Sequence, residues 1–173
     1  MALTEEENAL LTRVGPGTPG GELLRRYWLP IAAAQELTED SPTKFVRVLG
    51  EDLVLFKDKS GNLGLIQDHC PHRGASLLYG RVEERGIACA YHGWLYDTQG
   101  NCLETPAEPA DSKFYLTVKA TAYPVQQFLG LRSSGSATTR HCMTQPRTNC
   151  SMPDKLLERF SAHTRIVSAA KSE

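Results

Sequence analysis

Four side chains between residues 68 and 102 have the types and spacing to hold metal. Cys70 and His72 form a C-x-H pair, Cys89 and His92 form a C-x-x-H pair, and sixteen residues separate His72 from Cys89. A tight turn at either pair puts its thiolate and imidazole on one side of a loop, and Pro71 restricts the first turn before its histidine. Two such loops facing each other offer two sulfurs and two nitrogens to one small cavity. Each pair is mixed, which suits a 2Fe-2S cluster whose irons take like ligands, one iron a cysteine from each loop and the other a histidine from each. A mononuclear zinc ion could use the same four side chains, although zinc modules usually pair Cys with Cys and His with His.

On a cluster of this kind, neutral imidazole in place of thiolate leaves its iron in less negative surroundings, so that iron takes the electron and the potential rises. Loss of the outer imidazole protons on oxidation ties the potential to pH. Gly74 and Gly93, just after the histidines, would let backbone amides approach the cluster sulfides. Other candidates have plainer readings. His69 adjoins Cys70 and so points the other way, as a structural or neighbouring residue. Cys102, with apolar neighbours, reads as a packing cysteine. Tyr91 and Trp94 flank His92 and either shield the metal from water or pack in the core. Asp97 and Glu104 read as turn and surface residues. Cys142 and Cys150, with His141, lie in polar sequence that gives a metal site no framework.

The elements that must position these loops follow from the patterning. Thr4 with Glu5, Glu6 and Glu7 has the form of a capping box, predicting a helix over about residues 4–13. The run Gly15-Pro16-Gly17-Thr18-Pro19-Gly20-Gly21 breaks it, and Leu23, Leu24, Tyr27 and Trp28 form a second helical turn ended by Pro30. Residues 1–43 therefore read as a helical brace. From residue 44 the period becomes strand-like, through 45–49, 53–56 and 63–66, with Asp58-Lys59-Ser60-Gly61-Asn62 as a hairpin loop. Strands at 86–90, 94–96 and 102–103 frame the second metal loop, and 114–118 and 121–125 supply the last ones. The expectation for residues 44–126 is a mainly β fold, an antiparallel sandwich or partly open barrel, with no internal repeat. Residues 127–173 lose the alternation and read as an irregular, disordered tail, apart from some helical spacing over 153–167.

Composition narrows the function classes. The chain has 173 residues, 40% hydrophobic and 23% charged, enough for one domain with its own core. Its net charge of -1 gives no reason to expect nucleic acid or a membrane surface as partner. Five cysteines, an odd number, argue against a disulfide framework, and the acidic start MALTEEENALL is unlike a secretory signal; the cytoplasm is the expected compartment.

CPHRGA at 70–75 and CAYHGW at 89–94 resemble the two ligand boxes of the Rieske non-haem iron oxygenases. LTRVGPGTPGGELLRRYWLPI at 11–31, GEDLVLFKDKSGNLGLIQDHC at 50–70 and YDTQGNCLETPAEP at 96–109 resemble the phthalate 4,5-dioxygenase type of oxygenase component. The resemblance runs from about residue 4 to residue 126. It implies that Cys70, His72, Cys89 and His92 ligate a Rieske 2Fe-2S cluster that takes electrons from a reductase or ferredoxin. In that family the electrons pass on to a mononuclear Fe(II) in a second domain, usually across a subunit boundary in a trimer, for aromatic hydroxylation or demethylation.

The family's D-x-x-H-x4-5-H iron motif has no counterpart here, since His141 and His163 are the only histidines after the strand region. The chain is expected to lack the catalytic iron, and its coding sequence to be frameshifted or truncated near residue 127. Three functions stay open on the sequence: an oxygenase's electron-transfer domain, a standalone ferredoxin-like carrier, and a zinc-stabilised binding module without redox chemistry.

Overall fold

The computed structural model describes residues 3–109, 111–128 and 131–134. Helix α1 (Glu5–Thr12) starts where the capping box predicts: the Thr4 hydroxyl accepts from the Glu7 amide, and the Glu7 carboxylate accepts from the Thr4 amide at 2.8 Å. Helix α2 (Pro19–Leu24) is built from the second half of the Gly/Pro run, which therefore starts a helix as well as ending one. Thr18 caps it and Pro19 takes the first position, where a missing N–H costs nothing. The helix ends at Leu24, before Tyr27 and Trp28, and Pro30 lies in a strand. Strand β1 (Leu29–Ala33) lies inside the expected brace, because proline is tolerated at a strand end.

Strands β2 (Thr43–Val48), β3 (Glu51–Lys57) and β4 (Leu63–Gln67) form the central antiparallel meander, and β9 (Ala122–Tyr123) closes its far edge. A second sheet runs in order through β5 (Arg81–Glu83), β6 (Gly86–Ala88), β7 (Leu95–Tyr96) and β8 (Cys102–Glu104). The third pairs β1 with β11 (Leu131–Ser134), which also pairs β10 (Val125–Phe128). The fold is mainly β and antiparallel, as expected, in three sheets, none of which closes into a barrel. The boundary expected at residue 126 falls inside β10, and β11 lies beyond it, recruited by hydrogen bonding on both edges despite its polar sequence.

The central sheet is buried on both faces. Leu53, Val54, Leu55 and Phe56 are each at most 2% exposed, and their alternation feeds two cores. Val54, Phe56 and Ile66 pack with Cys70, Cys89, Trp94 and Tyr96, while Leu53, Leu55 and Leu65 pack with Ala32, Leu37 and Val46. Burying Phe56 alone contributes roughly 2–3 kcal/mol.

Two expectations need correction. Phe114–Thr117 is a 3₁₀ turn, not a strand. The Thr117 hydroxyl donates to the Phe114 carbonyl and the Val118 amide to the Tyr115 carbonyl, a local closure that overrides the β propensity of the aromatic residues. A short repeat also exists. Asp58-Lys59-Ser60-Gly61-Asn62 and Asp97-Thr98-Gln99-Gly100-Asn101 fold into the same turn, with each aspartate accepting from the amide and side-chain nitrogen of its asparagine at 2.7 to 2.9 Å. Residues 127–128 and 131–134, expected to be irregular, thus contribute to β10 and form β11, while the helical spacing at 153–167, the rest of the expected tail, and Cys142, Cys150 and His141 fall outside the described residues.

Candidate metal centre

Strand β4 delivers the first loop and β6 the second, and the two loops are built alike. The Cys70 amide donates to the Ala75 carbonyl at 2.8 Å and the Gly74 amide to the Cys70 carbonyl at 2.8 Å. In the second loop the Cys89 amide donates to the Trp94 carbonyl at 2.9 Å and the Gly93 amide to the Cys89 carbonyl at 2.9 Å. Counted from its cysteine, each loop closes with the same two bonds and places a glycine at the same position, with φ of +70° at Gly74 and +74° at Gly93. The glycines are required by this left-handed backbone. No protein atom stands within 4 Å of a Cβ built on Gly74, so crowding from the chain itself is not the reason.

The histidines differ between these matched loops, His72 following its cysteine by two residues and His92 by three. They nevertheless meet, with ring centroids 4.6 Å apart. The cysteines come together as well. Cys70 and Cys89 are 3% and 5% exposed and lie in the same core cluster, near enough for the Cys89 thiol to push the Cys70 pKa up. Among the described residues, no three Cys, His, Asp or Glu side chains are gathered as a single-ion site. The arrangement sets imidazole beside imidazole, with both cysteines in one core.

Burial pushes the Cys70 thiol up. The Tyr96 hydroxyl, 3.3 Å from its sulfur, and the His72 amide oppose that rise, and the Cys89 thiol adds to it. Burial also lowers His72, helped by the positive charge His92 would carry, so the metal-free imidazole is favoured neutral, as a ligand must be. Tyr96, fully buried, is pushed well above the usual phenol range by burial and by Cys70, and it stays a hydrogen-bond donor. Loading a metal therefore displaces protons from sulfur, whereas the phenol keeps its own.

Around the four donors lie residues of unequal legibility. Trp94 is 5% exposed and lies flat on His72, with centroids 4.2 Å apart and planes 3° apart. Tyr91 is 61% exposed and covers His92 at 3.8 Å, so it caps the ring without joining the core. Tyr96 was not singled out by the sequence. Its signal was its spacing of two residues from Trp94, which in extended chain turns both side chains to one face. His69 lies largely in solvent, in a short bridge to Ser76, pointing away as expected. Burial pushes the Cys102 thiol up to about 11, consistent with packing. Asp97 holds its turn, and Glu104 is an exposed partner of Arg85.

The first loop is anchored from behind. The Asp68 carboxylate accepts from the Ser76 hydroxyl at 2.6 Å, and the Asp68 carbonyl accepts from the Leu77 amide at 2.6 Å. These bonds satisfy a buried carboxylate and pin both ends of the loop to β4.

Residues 27–128 match the model of the Rieske [2Fe-2S] domain. The chain is 52% identical over 132 residues to the 5,5'-dehydrodivanillate O-demethylase oxygenase subunit of Sphingobium sp. (strain NBRC 103272 / SYK-6), covering 75% of this chain and 31% of that protein. It is 45% identical over 129 residues to the phthalate 4,5-dioxygenase oxygenase subunit of Pseudomonas putida, covering 74% and 29%. Among solved structures, the Pseudomonas putida CBB5 NdmA QL mutant with theobromine superposes with a TM-score of 0.63 at 30% identity, over 77% of this chain and 40% of that one. The chain thus spans about a third of the length of these curated relatives.

Proposed function

Because the chain belongs to the Rieske [2Fe-2S] domain family, we propose that Cys70 and Cys89 hold one iron of the cluster, that His72 and His92 hold the other, and that the domain relays electrons within an aromatic-ring oxygenase. The observation that carries the ligand assignment is the meeting of His72 with His92 across two equivalent loops whose cysteines share one core. A single zinc ion needs its donors around one point, whereas two bridged irons need them as two pairs. When bound, the cluster supplies a one-electron carrier.

The chain's own residues do the rest. The matched loops set the spacing of the donors, burial of Cys70 and Cys89 keeps water from the sulfurs, and the Tyr96 hydroxyl stands 3.3 Å from the Cys70 sulfur, where it would donate to the thiolate once the cluster is bound. The half-buried histidines leave a short path to a partner at the loop tips. The donor would be a reductase or ferredoxin and the acceptor a mononuclear Fe(II) of an oxygenase catalytic domain. Assembly as a trimer, in the cytoplasm, belongs to the same reading. Among the described residues no helix is long and apolar enough to cross a membrane.

The test is to purify the chain without oxygen, count iron and sulfide, and record visible and EPR spectra before and after dithionite. Two irons, two sulfides and a reducible Rieske-type signal are expected. Stoichiometric zinc without visible absorption would overturn the assignment.

A further inference from the structure

A histidine ligand has a weakly determined ring plane, because the torsion that turns the imidazole is broad and roughly two-fold. Metal-binding histidines usually have that plane fixed by a hydrogen bond from the second ring nitrogen to a carboxylate or carbonyl. Among the described residues no side chain or backbone group makes such a bond to His72. What the ring has is Trp94, coplanar within 3° and with centroids 4.2 Å apart. Trp94 is held in turn. It is 5% exposed within the core that holds both cysteines, and its carbonyl accepts the Cys89 amide that closes the second loop. Phe114, from the 3₁₀ turn, meets it in a T-shaped contact at 5.9 Å and 75°.

We propose that Trp94 is the positioning residue of His72: the residue that closes the second loop lies flat on the histidine of the first, braced by Phe114, and sets the plane in which that imidazole meets its iron. The contact crosses between the loops, so it also fixes the spacing of one loop from the other. His92 has no equivalent, since its cover, Tyr91, is exposed and tilted by 32°. The two histidines are therefore held unequally, His72 rigidly and His92 loosely. An aromatic stack of this geometry contributes beyond the area it buries and so favours one ring plane over another.

The inference rests on His72 being a ligand, so the experiment begins with iron and sulfide counts on the full wild-type chain. Trp94→Leu, Trp94→Phe and Phe114→Ala are then compared by two readouts. One is the nitrogen hyperfine couplings of the reduced protein by ENDOR. The other is the half-life of visible absorption against a chelator.

Trp94→Leu is expected to spread the couplings of one nitrogen, leave the other sharp, and shorten the half-life about tenfold, the lower end of what loss of an orienting partner costs in metal affinity. Trp94→Phe keeps an aromatic face and stays within about twofold of wild type by the same measure. Phe114→Ala spreads the same nitrogen less. Wild-type couplings and half-life in Trp94→Leu overturn the proposal, as does a Trp94→Phe protein that behaves like Trp94→Leu. Should Trp94→Leu fail to fold, Phe114→Ala decides, because Phe114 is 46% exposed and its loss spares the core; unchanged couplings there overturn the proposal. A wild-type chain without iron and sulfide overturns the ligand assignment beneath it.

Discussion

On the side of the central sheet that carries the metal loops, the Asp68 carboxylate accepts from Ser76, Asp58 and Asp97 each clasp an asparagine, and the Tyr96 hydroxyl meets the Cys70 sulfur. On the other side, where β1, β10 and β11 lie, Arg132 is 5% exposed and its Nε and Nη1 have no partner among the described residues. Trp28 Nε1 is in the same position. Strand β11 turns Arg132 and Ser134 inward and leaves Leu131 47% exposed, the reverse of what a buried face asks for. Apart from the turn at Phe114, the first region has sequence and structure in agreement, and the second does not.

The comparison can be broken most severely at the loops. Cys70→Ser or Cys89→Ser is expected to abolish iron and sulfide content and the visible spectrum, because one iron loses half of its protein ligands; iron analysis of the purified variants checks this. A large effect of opposite sign is expected on the other side. Arg132→Leu removes a buried guanidinium that burial already pushes below its usual pKa. It should stabilise the fold by about 2 kcal/mol, roughly 5–10 °C in Tm, read by thermal denaturation. Glu36 is not stranded by the change, since it keeps Lys44 at 2.5 Å. A fall in Tm would mean that Arg132 has a partner after all.

Tyr96→Phe sharpens the contrast at smaller scale. The hydroxyl that donates toward Cys70 is lost without a change of shape, and the reduced state loses about 1–1.5 kcal/mol of stabilisation, roughly 40–60 mV of potential for one electron. A redox titration should show the lower potential with iron content unchanged. The smallest effect is expected at Tyr123, whose hydroxyl donates to Glu51 at 2.5 Å. Burial and that bond raise its pKa from 10.0 to about 12, so the folded chain holds the proton more tightly than the unfolded chain. This part of the stability is whole below about pH 10 and is lost as the pH climbs through about 12. Tyr123→Phe should flatten that alkaline limb in urea titrations.

The site was legible because its residues have few other uses: two thiols and two imidazoles at short spacing, each pair in a loop between apolar strands. The β2–β4 meander was legible because alternation and a D-x-x-G-N turn coincide there. The 3₁₀ turn at Phe114 was not, since its aromatic residues fit a strand equally well until Phe114 meets Trp94 across the fold. Strand β11 was illegible for a different reason. Its pairing comes from backbone groups on two neighbours, and nothing in Leu131-Arg132-Ser133-Ser134 announces it. The equivalence of the two loops was hidden by counting from the histidines, which are offset, when the shared register runs from the cysteines.

Strand β3 divides its four consecutive buried residues between both cores. It is therefore a party wall, and neither core can be lost while the other stays intact. Cooperative melting follows: bleaching of the visible absorption and loss of the sheet signal in circular dichroism should share one midpoint, and a chain that cannot assemble its loops should lose stability in β1 and β10 as well. Mismatch around Arg132 would then weaken the hold on iron from the far side of the molecule, without any contact between the two.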